Sequence, residues 1–178
     1  MTFSVRRSLV TLALGAALAT SGCAGVGTTD VAAFVNGQPI RETAVQAAVQ
    51  EINDHAVFQG PIAATDALTV LIQAPVIFDY SSSKGIVASE SAARAELSAK
   101  GLTEPSESTI TIYRFVQTIA GYEAAGGMGE ADQAAMVQNL ASLDVTANPR
   151  YGTYDPAQAS IQAISPEWIE PVGAAPAP

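Results

Sequence analysis

Residues 31–53 read Val-Ala-Ala-Phe-Val-Asn-Gly-Gln-Pro-Ile-Arg-Glu-Thr-Ala-Val-Gln-Ala-Ala-Val-Gln-Glu-Ile-Asn, and this stretch decides the architecture. Its first five residues are a short apolar run of β character. Asn36-Gly37 follows, the pair that best tolerates positive φ at both central positions of a two-residue hairpin turn. Beyond Gln38-Pro39-Ile40 the period changes. Val45, Ala48, Val49 and Ile52 recur at helical spacing, which predicts a helix over residues 41–53 with one buried stripe.

Downstream, four more helices are expected, joined by a loop over residues 53–61 and by shorter turns. The second is capped by Thr65 or Asp66, places Leu68, Leu71, Ile72, Val76 and Phe78 on a core face, and stops at Gly85. Pro75 lies inside it and predicts a kink or a restart, because proline removes an N–H and crowds the preceding turn. The third, residues 90–100, is capped by Ser89 and stopped by Gly101, with Ala92, Ala93 and Leu97 inward. Glu104-Pro105 predicts the start of the fourth, since proline suits the first helical position. Its core stripe is Ile112, Phe115, Val116 and Ile119. The fifth, residues 130–142, follows a glycine loop and turns Met136, Val137 and Leu140 inward. The chain then reverts to β character at 143–147 and again near 159–164, separated by the turn-forming pairs Asn148-Pro149 and Asp155-Pro156. The expectation is a mainly α fold of about five helices with short β-strands at both ends. Strands this short need a partner, so the two terminal segments are expected to pair.

Composition narrows the function. Of 178 residues, 48% are hydrophobic and 14% charged, so the chain can bury a core. Eight basic residues against 17 acidic give a net charge of −9. That balance excludes nucleic acid as a natural partner, because phosphate binding requires lysine and arginine to displace counterions. A single cysteine, Cys23, excludes an intramolecular disulfide and a cysteine zinc cluster. A single histidine, His55, excludes multi-histidine metal sites and paired-histidine relays.

The N-terminus has the parts of an export signal. Arg6 and Arg7 precede an apolar run over residues 9–19, too short to span a bilayer. Thr20-Ser21-Gly22-Cys23 then resembles the bacterial lipobox, with Thr20 standing where leucine is usual. The resemblance implies cleavage after residue 22 and a lipid, palmitate among its chains, on Cys23. Cleavage by a conventional peptidase near residues 17–19 would instead leave a free thiol. The arginine pair also fits a twin-arginine signal, although its neighbours support the general secretion route better. Removing residues 1–22 takes two basic residues and no acidic one, leaving 156 residues with a net charge of −11. The expected organisation is a signal peptide over 1–22, a lipid-anchored linker over 23–30, a folded domain over 31–169 and a Pro/Ala tail over 170–178. Two or more acyl chains give a stable anchor, while the negative charge holds the body off anionic lipid.

Motifs that carry catalysis are missing. His55 sits in Asn53-Asp54-His55 on a loop, no Gly-x-Ser-x-Gly elbow accompanies it, and it is expected to be an ordinary surface residue. Gly126-Gly127-Met128-Gly129 lacks the lysine and hydroxyl residue of a phosphate loop and is expected to connect helices. The acidic residues occur singly, with no calcium-loop spacing, and are expected to form a solvated face. No cofactor and no metal are therefore expected. Arg150, an isolated cation in an acidic chain, is the residue expected to anchor a carboxylate.

Three segments in order carry a family resemblance: Phe34-Val35-Asn36-Gly37-Gln38-Pro39-Ile40 leading into a helix, Gly85-Ile86-Val87-Ala88-Ser89-Glu90, and residues 145–155. Together they resemble the SurA/PrsA-type N-terminal chaperone domain, and in particular short lipoproteins of that type from high-GC Gram-positive bacteria. The chain has no room for the parvulin prolyl-isomerase domain of full-length members, so no isomerase activity is implied. What the resemblance implies is a non-enzymatic, ATP-independent holdase for unfolded or partly folded exported proteins. It would sit on the outer face of the cell membrane, held by the lipid on Cys23. Met128, Met136, Tyr113, Tyr122 and Trp168 are candidate adaptable client contacts. The alternative is an accessory or scaffold subunit for one dedicated envelope partner.

Overall fold

A computed structural model describes residues 30–163. The expected signal, the linker but for Asp30, the Pro/Ala tail, and the last residues of the expected domain, 164–169, lie outside the described residues, and with them Cys23, Ile164 and Trp168. Within them the chain is mainly helical, with short strands at both ends. The opening hairpin is β1 (Val31–Val35) and β2 (Gln38–Arg41). Asn36 and Gly37 adopt φ of 49° and 77°. Positive φ at both positions matches the right-handed twist of the flanking strands, which is why this pair selects the turn. The helices are α1 (Glu42–Asp54), α2 (Ala64–Ser83), α3 (Glu90–Ala99), α4 (Glu107–Ala124) and α5 (Glu130–Ala141). Three short strands close the described residues: β3 (Val145–Ala147), β4 (Thr153–Asp155) and β5 (Ser160–Gln162).

The two ends pair, as expected. β1 is the central strand of a sheet ordered β2-β1-β3, antiparallel to both neighbours, while β4 and β5 form a separate antiparallel pair. Two asparagines fasten the β1–β3 ladder at opposite ends. Asn36 exchanges backbone and side-chain bonds with Asp144, its N–H donating to the Asp144 carbonyl at 2.7 Å and its Oδ1 accepting the Asp144 N–H at 2.9 Å. At the other end Asn148 donates from its backbone N–H to the Ala32 carbonyl and from Nδ2 to the Val31 carbonyl.

Helix starts follow local chemistry, with two adjustments. Ser89 accepts the Ala92 N–H and caps α3. α4 begins later than Glu104-Pro105: Ser106 is the cap, accepting the Thr109 N–H. Glu51 on α1 reinforces that start, its Oε2 accepting from the Ser106 N–H, the Ser106 hydroxyl and the Thr109 hydroxyl at 2.9, 3.0 and 2.6 Å. A carboxylate there also complements the positive end of the helix. α2 starts at Ala64, and Asp66, in its first turn, reaches back to accept the Ala63 N–H at 3.2 Å. Pro75 does not end α2. The helix runs on to Ser83, with residue 75 on its exposed side.

The larger core gathers Val45, Ala48 and Ile52 of α1, Leu68 and Ile72 of α2, Leu97 of α3, and Ile110, Ile112 and Tyr113 of α4, closed by Tyr151 and Ile161. A smaller one joins Ile77, Met136, Leu140 and Ala159. Two valines expected inside are outside: Val116 is 41% exposed and Val137 58%. A single-stripe reading fails on α4 because its buried face changes side along its length. The first half buries Thr109, Ile112 and Tyr113, whereas the second buries Thr118 and Tyr122, and Tyr122 bonds Ser81 of α2. The buried side chains of α5 are only Met136 and Leu140, which leaves Val137 beside them in solvent. Ala92 is likewise exposed, and α3 turns only Ala93 and Leu97 inward.

Candidate functional site

A groove of about 590 Å³ opens among the described residues where the hairpin, α2 and the end of α5 meet. Its hairpin wall is Val35, Asn36, Gln38, Pro39 and Ile40. The opposite wall is a strip of α2, from Leu71 and Ile72 through Pro75 and Val76 to Asp79, and Asn139, Ser142 and Leu143 close the end. The floor is apolar and the rim polar, the usual composition of a site that takes an apolar group and orients it by a few hydrogen bonds.

Each wall has a local reason for its shape. β2 is an edge strand whose Pro39 pairs opposite Phe34 and offers no N–H, which blunts the edge against strand addition. On α2, residue 75 has no N–H to donate to the Leu71 carbonyl, so the helical ladder lacks one bond where α2 borders the groove. Asp79 is exposed and is the single charged residue lining the groove. Among the described residues no cation lies within ion-pair distance of it.

Beyond the groove, α5 is pinned to α2 by a polar cluster. Tyr80 Oη donates to Asp132 Oδ1 at 2.6 Å and Lys84 Nζ donates to the same oxygen at 3.0 Å. The hydrogen bond from Tyr80, then that from Lys84, holds the Asp132 carboxyl below the ordinary carboxylate value of 3.8. Because the folded-state value is the lower one, the stabilisation is present above that pH and is lost as pH falls through the folded-state value. Asp132→Ala should lower the urea midpoint at pH 7, and the gap to wild type should close as pH drops from about 5 to about 2. A gap that is constant across that range would contradict the ionised cluster.

The residues expected from sequence are dispersed. Tyr113 is buried, donates to Glu96 Oε2 at 2.6 Å, and titrates above its ordinary value through burial and then that carboxylate. Tyr122 is buried against Ser81, and Met136 belongs to the smaller core. Met128 is half-buried against the same cluster. None of these four lines the groove. His55 is exposed at the end of α1. Arg150 does face a carboxylate, its Nη1 3.7 Å from Glu42 Oε1, beside Gln46 and the buried Tyr151. The groove escaped sequence reasoning because its walls come from three segments distant in sequence, residues 35–40, 71–79 and 139–143, and the helical period of Leu71, Ile72 and Val76 marks a core face without saying what lies opposite it.

Among the described residues, no three His, Cys, Asp or Glu side chains come together as a metal site, and no helix is long and apolar enough to cross a membrane. No family model, no curated protein and no solved structure matches this chain.

Proposed function

We propose that this chain is an extracytoplasmic lipoprotein, tethered through Cys23, that holds unfolded or partly folded exported polypeptides without catalysis and without ATP. The observation that carries the reading is the open groove between hairpin, α2 and α5, apolar at its floor and polar at its rim. Such a groove suits an extended chain, whose side chains find apolar contacts while its backbone finds acceptors and donors at the edges. The lipobox-like Thr20-Ser21-Gly22-Cys23 supports the tether.

The test has two arms. Cys23→Ser should abolish incorporation of labelled fatty acid into the chain and release the folded domain from the membrane fraction. The mature chain should suppress aggregation of several unrelated, chemically unfolded proteins at near-stoichiometric ratios with no nucleotide present. Protection of none, with stoichiometric capture of one envelope protein, would replace the holdase by an accessory subunit.

A further inference from the structure

We propose that the groove selects segments that are both apolar and basic, so that its preferred occupant is an extended polypeptide stretch alternating aliphatic residues with lysine or arginine. This rests on the holdase reading and narrows it to a substrate class. The apolar half of the argument is the floor: Val35, Ile40, Leu71, Val76 and Leu143 surround a space of about 590 Å³. The basic half comes from what the walls offer. Asp79 is the groove's single charged group and lacks a cationic partner among the described residues, while Arg41, Lys84, Arg94, Lys100, Arg114 and Arg150 line none of it. An exposed carboxylate with no cation within ion-pair distance asks for a donor, and a lysine or arginine head supplies several. Pro39 meanwhile removes a donor from the hairpin edge, which leaves side-chain chemistry more weight than strand addition in recognition.

Charge beyond the groove acts in the same sense. The chain after residue 22 carries a net charge of −11, which draws cationic segments in and repels acidic ones. The chain's own residues 164–178 contain Glu167 and Glu170 and no lysine or arginine, so charge disfavours that segment as the occupant.

The experiment uses the full chain in phosphatidylcholine nanodiscs, with empty nanodiscs as the blank. A short fluorescein-labelled peptide of alternating valine and lysine is titrated against its counterpart with glutamate for every lysine, and binding is read by anisotropy. The basic peptide should bind at least about tenfold more tightly. Asp79→Asn, an exposed isosteric change, should remove about tenfold of that preference, and Val76→Ser should weaken both peptides. Circular dichroism checks that each variant is folded. Equal binding of the two peptides, or a preference unchanged in Asp79→Asn, overturns the inference. So does a rise in acidic-peptide affinity on removing residues 164–178, which would make that segment the occupant. Aggregation assays on acidic and basic clients separate the two claims. Equal protection of both leaves the holdase standing and sinks the selectivity, whereas selective peptide binding with no protection does the reverse.

Discussion

Gly152→Ala is expected to destabilise the domain by about 3 kcal/mol, seen as a lower urea midpoint with an unchanged slope. Gly152 is buried at the start of the β4–β5 pair with φ of +128°, a region that side-chain-bearing residues rarely adopt. A Cβ there would overlap the backbone carbonyl of Gln162 and press on Ile161 Cγ2 at 3.2 Å. Backbone cannot step aside as a flexible side chain can. Ile161 and the adjoining Tyr151 both belong to the larger core, so the displacement would spread inward. Gly127→Ala is the matched control: φ is +93° there, but nothing lies within 4 Å of the added methyl. Its cost should be the conformational part alone, about 1 kcal/mol. Equal losses in the two variants would mean that the close approach of residues 152 and 162 is not real.

Pro75→Ala is expected to act in the opposite direction and stabilise the fold by about 2 kcal/mol. Residue 75 lies on the exposed side of a twenty-residue helix, so alanine gives up little buried surface and restores the N–H that the Leu71 carbonyl lacks. The greater freedom of the unfolded chain takes back about 0.5 kcal/mol of the gain. A Pro75→Ala protein no more stable than wild type would show that the Leu71 carbonyl already has an adequate donor.

These two positions differ in how far sequence alone could expose them. Pro75 is visible at once as a proline in a helical pattern, and the helix does not restart there because α2 is held on both sides of it. Leu68 and Ile72 sit in the larger core before it and Ile77 in the smaller one after it. Gly152 reads as one turn glycine among several, and only its contact with Gln162, ten residues on, makes it different from Gly127.

What the sequence determined by itself was whatever depends on a few neighbouring residues. Asn36-Gly37 makes the hairpin because those two residues accept positive φ, and Ser89 starts a helix because its hydroxyl reaches the next turn. The period of Val45, Ala48 and Ile52 likewise sets the inner face of α1. Only the tertiary structure decided what depends on distant segments. The β1–β3 ladder joins residues more than a hundred positions apart, and the partner of Asn36 is Asp144. The buried side of α4 switches midway, as the bond between Tyr122 and Ser81 marks, which no single helical period can announce. The groove belongs to the same class: its floor is assembled from a hairpin, a helix face and a loop, and its charge is the one carboxylate that none of them neutralises.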